Sequence, residues 1–317
     1  MSRMVSVYID GQEGTTGLQL QQRLAGRADL RLAAIPDALR KDAATRKQYL
    51  NDADVVFLCL PDVAAVEAVG MIENPAVRVL DASTAHRVAA DWLYGFPELS
   101  AAQRDSICQG KRVAVPGCHA SGFVALAAPM VAAGLLPPDY PVSVHSITGY
   151  TGGGKKMIAD YEAADRAPAF SGTRLYALGL AHKHLPEMHS LSGLVHAPLF
   201  TPILGDFAQG MLVSIPLHTR LLPAGTDPAR IHAALASHYA GSRFVEVMPY
   251  DPKALPDGGF LDPQALNGTN RMQLFVFGHA EQVLVTARLD NLGKGASGAA
   301  VQCFNLMVGA PEEQGLL

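Results

Sequence analysis

A strand that runs straight into a glycine turn and then a helix constrains this chain more than any other stretch. Met4-Val-Ser-Val-Tyr-Ile9 is a mostly apolar run of strand length. Asp10-Gly-Gln-Glu-Gly-Thr-Thr-Gly-Leu18 follows at once, and a helical pattern continues to about Leu24. Gly11, Gly14 and Gly17 fit the physical needs of dinucleotide binding: a tight turn, close approach of backbone to a pyrophosphate, and close packing of helix on sheet. Thr15 and Thr16 stand with them as cofactor-binding candidates at the helix start. The first gap is two residues rather than one, and glycine turns also serve ordinary strand-to-helix loops, so context decides. Leu30–Ile35, Val55–Leu60 and Val77–Leu80 read as further strands separated by helix-like segments. That alternation predicts a doubly wound parallel sheet of the α/β class.

The end of the second strand is where ribose selectivity is set in such sheets. Asp37 can bond a ribose 2′-hydroxyl, whereas Arg40 and Lys41 can pair with a 2′-phosphate, and the balance leans to NADP. Leu60-Pro61-Asp62 follows the third strand at its carboxyl end, where ligands sit in open α/β sheets, so the backbone at Pro61 is expected to line the cofactor site. After the fourth strand, Ser83, Thr84 and Arg87 can together hold a phosphate or carboxylate, or form an ordinary surface loop.

One thiol is singled out by its setting. Val113-Ala-Val-Pro-Gly-Cys-His-Ala-Ser-Gly122 places Cys118 between a strand-like run and the apolar run Ala120–Ala133, which has the composition of a buried helix. Pro116-Gly117 forces a turn, so Cys118 falls near a helix N-terminus, where the dipole and unpaired N–H groups favour the thiolate. A thiolate is the form that attacks carbonyl carbon. Cys59 and Cys303, inside a strand and a helix, read as core residues.

Beyond that helix, Pro141–Ile147 reads as a strand opening a second domain, and Thr148-Gly-Tyr-Thr-Gly-Gly-Gly-Lys-Lys156 follows as a loop. It lacks the spacing of a nucleotide-triphosphate loop. Lys155 and Lys156 beside its N–H groups can still cradle an anion, or the loop can be without a ligand. Ala181-His-Lys-His-Leu-Pro-Glu-Met-His189 is the other polar cluster. If extended, it points His182 and His184 the same way, with Glu187 placed to orient a histidine. No convincing metal-ligand spacing joins them, and no metal is expected. From Leu194 onward Met211–Leu217, Phe244–Met248, Arg271–Phe277 and Gln282–Leu289 read as strands of a mixed or antiparallel α+β sheet, the kind that carries oligomer interfaces. A helix is expected near 228–239 and a last apolar one over Ala299–Val308.

Composition closes off other classes. A formal charge of −4 offers no basic field for nucleic acid or anionic membrane. The four cysteines, at 59, 108, 118 and 303, have no paired spacing, which fits a reducing cytoplasm. No secretory leader pattern opens the chain, and the run His119–Leu136 is Ala-rich, interrupted by Pro129 and Gly134, and barely of spanning length.

With these residues in place, the chain resembles the short form of the N-acetyl-gamma-glutamyl-phosphate reductases, within the aspartate-semialdehyde dehydrogenase superfamily, nearly end to end. The resemblance rests on Gly11–Gly17, on Val-Pro-Gly-Cys118, on His182-Lys-His-Leu-Pro-Glu187 and on Asp290-Asn-Leu-Gly-Lys-Gly295. His119 departs from the longer form, where an aromatic residue is usual. The resemblance implies an NADPH-dependent acyl-phosphate reductase of arginine biosynthesis that releases inorganic phosphate, with Cys118 as nucleophile and His184, or else His182, as proton donor. Ser83, Arg87, Lys155 and Glu187 are the candidates for substrate and phosphate. It also implies a Rossmann-type domain of residues 1–117 and 293–317, a catalytic and oligomerisation domain of residues 118–292, and a homodimer or homotetramer. Related reductases of aspartyl phosphate or of a carrier-bound aminoadipyl phosphate are not separated by these motifs.

Overall fold

Strand propensity and burial act together in the first unit: β-branched and aromatic residues build β1 (Val5–Asp10) and β3 (Val55–Leu58), and all four residues of β3 are buried. Burial on both faces is the mark of a parallel sheet covered by helices on either side. The computed structural model describes residues 4–40, 42–251, 253 and 255–316. Two contact-defined units result, one running to Pro116 and resuming at Ala296, the other covering Gly117–Gly295.

The first unit continues with α1 (Thr15–Leu24), β2 (Leu30–Ala33), α2 (Ala43–Asp52), α3 (Asp62–Met71), β4 (Arg78–Asp81), β5 (Leu93–Tyr94), α4 (Ala101–Gln109) and β6 (Arg112–Ala114). Its strands lie in the order β2-β1-β3-β4-β6-β5, all parallel. The chain leaves β1 first toward β2 and then, on the other side, toward β3. The carboxyl ends of β1 and β3 are therefore the switch point at which such sheets bind ligands. The last helix, α9 (Gly298–Val308), belongs to this unit. Phe304 packs on Phe57 at 5.5 Å between ring centroids, and Cys303 donates to the Gly95 carbonyl at 3.3 Å.

The second unit comprises α5 (Cys118–Ala132), β7 (Ser143–Thr148), α6 (Gly154–Glu162), β8 (Arg174–Leu175), α7 (Leu185–Ser192), β9 (Leu199–Leu204), β10 (Met211–His218), α8 (Pro228–His238), β11 (Val245–Val247), β12 (Met272–His279) and β13 (Gln282–Leu289). Its sheet is mixed, in the order β11-β12-β13-β10-β7-β9-β8, with β11/β12 and β7/β9 parallel and the other pairs antiparallel. Helix α5 lies buried against it. A Cβ on Gly122 would stand 2.7 Å from Val213 Cγ2, so only glycine lets the helix come this close.

The buried helix expected over Ala120–Ala133 forms as α5, which runs through Pro129 to Ala132. Pro129 has no N–H for the Ala125 carbonyl one turn earlier, and the Tyr239 hydroxyl donates to that carbonyl instead, at 2.7 Å. The glycine run after β7 is not a loose loop. Tyr150–Gly153 is a 3-10 turn leading into α6, and a Cβ on Gly149 would meet the Ala208 carbonyl oxygen at 2.4 Å. The segment carrying His182 and His184 is not extended. It turns at Lys183-His184, with His184 at φ −88° and ψ −8°, directly into α7. Among the described residues no helix is long and apolar enough to cross a membrane.

Candidate active site

The first unit presents an open cleft of about 500 Å³ at the β1/β3 switch point, lined among others by Asp10, Gly11, Glu13, Arg40, Arg46 and Leu60. Gly11 has φ +85°, and a Cβ there would lie 2.3 Å from the Cys59 carbonyl oxygen; one on Gly17 would lie 2.5 Å from the Gly11 oxygen. Packing within the chain thus accounts for both glycines. Gly14, which precedes α1, is different, because a Cβ would make only ordinary contact at 3.5 Å. No internal crowding demands glycine there, which leaves approach of a ligand backbone-close as its use. The Thr15 hydroxyl beside it is buried and has no hydrogen-bond partner among the described residues, and Thr16 continues the same first turn. An orphaned hydroxyl and a glycine at a helix N-terminus fit a phosphate-bearing dinucleotide.

Arg40 Nη1 contacts Glu13 Oε1 at 3.0 Å across this cleft, and the pair is half-exposed. Lys41, its expected companion, lies outside the described residues. Arg46 was not legible as a cofactor-site residue. Its Nε donates to Asp10 Oδ2 at 2.7 Å, nearly out of solvent. Burial pushes the Asp10 carboxyl up, and Arg46 opposes that rise without cancelling it. Pro61 precedes α3 at the end of β3, and its neighbour Leu60 lines the cleft.

After β4, the phosphate-site candidates Ser83, Thr84 and Arg87 bond within the chain. The Ser83 hydroxyl donates to Asp81 Oδ2 at 2.6 Å, and Thr84 turns to Asp62. Arg87 donates to the carbonyls of Val115 and Ala82 at 2.9 and 3.2 Å. Asp81 has no exposed surface and also contacts His86 Nδ1 at 2.6 Å, so this loop satisfies a buried carboxylate.

In the second unit Cys118 is the first residue of α5, with Gly117 at the N-cap and no side-chain cap. The turn before it is fixed by Glu187, whose Oε2 accepts the Gly117 N–H at 3.1 Å. Glu187 is 1% exposed. Its bond to Gly117 holds the backbone that presents the thiol. The closing motif supports the same point from behind. Gly295 donates to the Asp290 carbonyl at 3.0 Å, and a Cβ on it would stand 2.7 Å from Cys118 Cβ.

Two imidazoles, His119 and His184, gather at the thiol, and His182 packs on both. His182 and His184 meet in a T-shaped contact at 4.7 Å, and the His184 N–H donates to His182 Nδ1 at 3.1 Å. Donor atoms of Cys118, His119 and His184 lie within 4.8 Å of one another. His119 is the addition that sequence reasoning missed. Its ring is 2% exposed, with Nδ1 on Ser146 Oγ and Nε2 on Tyr176 Oη, both at 2.7 Å. Burial, helped by His182 and Lys183, pushes this imidazole down to about 3, so it is neutral at physiological pH. Burial, and then the Cys118 charge, hold the Tyr176 hydroxyl protonated. Lys155 is exposed on the first turn of α6, and Lys156 pairs with Asp160 at 2.8 Å.

Comparison with known proteins agrees with this division. Residues 31–107 match the family described as semialdehyde dehydrogenase, NAD binding domain, and residues 118–291 match semialdehyde dehydrogenase, dimerisation domain. Aspartate semialdehyde dehydrogenase II from Vibrio cholerae, solved in complex with ASA, superposes with a TM-score of 0.69 at 14% identity over 97% of this chain and 99% of that one. The Francisella tularensis enzyme gives 0.70 at 14% identity, covering 96% and 100%. At that identity the likeness concerns the fold. Sequence relatives are nearer. The N-acetyl-gamma-glutamyl-phosphate reductase of Burkholderia cenocepacia (strain HI2424) is 53% identical over 308 residues, 96% of this chain and 97% of the relative. N-acetyl-gamma-glutamyl-phosphate reductase 2 of Nostoc sp. is 49% identical over 317 residues, 98% of each. The chain belongs to the N-acetyl-gamma-glutamyl-phosphate reductase family of the semialdehyde dehydrogenases.

Proposed function

We propose that this chain reduces N-acetyl-L-glutamyl 5-phosphate to N-acetyl-L-glutamate 5-semialdehyde and phosphate, with NADPH as reductant and a thioester on Cys118. The observation that carries the reading is a thiol at the N-terminus of α5 with His184 in its immediate surroundings. The helix dipole favours the thiolate. Its attack on the acyl carbon expels phosphate and divides one difficult step into two easier ones. When bound, the nicotinamide supplies the hydride that takes the thioester to the aldehyde level. His184 holds the proton taken up as the thiol departs, with His182 the second candidate. Such acid–base help is worth about 10² to 10⁴ in rate. His119, kept neutral by burial, is not that donor.

For the cofactor, Gly11, Gly14, Thr15, Thr16 and Gly17 take the pyrophosphate, and Arg40 with Lys41 takes the 2′-phosphate. A half-exposed ion pair such as Arg40–Glu13 is worth at most about 1 kcal/mol, so a phosphate can replace the Glu13 carboxylate. Lys155 remains a candidate for the substrate phosphate. Assembly runs through the sheet of the second unit, as a homodimer or homotetramer.

The test is the reverse reaction, followed as NADPH formation from NADP, phosphate and either N-acetylglutamate semialdehyde or aspartate semialdehyde. Phosphate-dependent turnover of the first alone is expected. Turnover of the second instead would keep the mechanism and move the substrate. Replacing Arg40 and Lys41 by Ala should weaken NADPH binding more than NADH binding, and equal loss would remove the assignment of the 2′-phosphate.

A further inference from the structure

The geometry points to a site for a soft divalent metal ion, zinc above all, formed by Cys118, His119 and His184, whose occupation silences the nucleophile. This regulation rests on Cys118 being the reactive thiol. One sulfur and two imidazole nitrogens lie within 4.8 Å of one another, and thiolate and imidazole are the donors zinc prefers. A tetrahedral zinc with bonds of about 2.3 Å to sulfur and about 2.0 Å to nitrogen holds its ligands about 3.5 Å apart. Closing the trio therefore needs side-chain movements of no more than about 1 Å. Three protein ligands leave the fourth position for water.

The frame suits the task. Cys118 and His119 are consecutive at the start of one helix, and His184 comes in from the turn before α7. Each nitrogen of the His119 ring already faces a hydroxyl, Ser146 Oγ on one side and Tyr176 Oη on the other. Whichever nitrogen takes the metal, the other keeps a hydroxyl partner that fixes the ring, the arrangement usual behind metal-bound histidines. One hydroxyl gives up its bond to make room. His182 is committed differently, with Nδ1 accepting the His184 backbone N–H, and is not part of the ligand set.

The step balances without redox chemistry. The Cys118 S–H bond breaks, its proton goes to solvent, and a sulfur–metal bond forms. A sulfur so engaged cannot attack an acyl phosphate, so inhibition competes with the acyl substrate and is reversed by a chelator.

The experiment titrates the whole chain with zinc against a chromophoric chelator, and with cobalt(II) as a spectroscopic stand-in. We expect one ion per chain at this site, protection of Cys118 from alkylation, and a cobalt–thiolate charge-transfer band that Cys118→Ser removes. His119→Phe should weaken zinc by at least about tenfold. Zinc affinity unchanged in both variants, or cobalt binding with no thiolate band in the unaltered chain, would overturn the site. The band requires no variant, so misfolding of His119→Phe does not blunt the test. None of these readouts uses turnover: an active reductase with no band would sink the metal site alone, and an inactive chain with the band would sink the proposed reaction alone.

Discussion

His119 shows how one position can set both the chemistry and the stability of its surroundings. Unfolded, an imidazole takes up a proton near its ordinary value of 6.5; in the folded chain, burial defers that to about 3. Between these values the unfolded state binds more protons, so stability rises with pH, by up to about 1.4 kcal/mol per unit for one group. The contribution is fully present above about 6.5 and is lost as the pH falls toward 3. Urea unfolding at pH 5 and pH 7 should show this difference, and His119→Asn should flatten it. An unchanged slope in that variant would place the acid sensitivity elsewhere. At Gly295 the argument is steric, since a methyl group would meet Cys118 Cβ at 2.7 Å. Gly295→Ala should cost about 1 to 3 kcal/mol and slow alkylation of Cys118, measured by thermal unfolding and by thiol titration.

At the scale of elements, α5 is held by two features that local pattern does not announce. Its close approach depends on Gly122 facing Val213, and its passage through Pro129 depends on Tyr239 covering the Ala125 carbonyl. Tyr239→Phe should cost about 1 to 3 kcal/mol, because a buried acceptor is left unpaired. A loss below about 0.5 kcal/mol by denaturant titration would mean that the helix relaxes to hide the carbonyl. Long apolar strands, the glycine turn and the cysteine helix were legible because each carries a period or a punctuation of its own. Strands β5 and β8 span two residues each, too short for any period to register. Spacing alone does not distinguish the turn at His184 from an extended segment. Asp10–Arg46, His119–Tyr176 and the inward turn of Ser83 and Arg87 depend on partners 36, 57 and as few as 2 residues away. Partner choice is set by burial in the assembled fold, which neither spacing nor composition records.

At the scale of the whole molecule, the second sheet buries one face under α5 and turns the other outward. Leu199 and Leu284 are 52% and 38% exposed, and the register of β9, β7, β10 and β13 puts both on the outward side. With assembly through this sheet, light scattering should give at least twice 33.5 kDa. Leu284→Glu should shift that mass toward the single chain, and an unaltered mass would move the interface off this face.

The central claim, acyl transfer to Cys118, is tested most directly by mixing the chain with N-acetylglutamate semialdehyde and NADP in the absence of phosphate. One equivalent of NADPH per chain should form in a burst, an N-acetylglutamyl mass should appear on Cys118, and added phosphate should release it with renewed turnover. Full turnover without phosphate and without a covalent adduct, or an adduct that survives Cys118→Ser, would contradict the account.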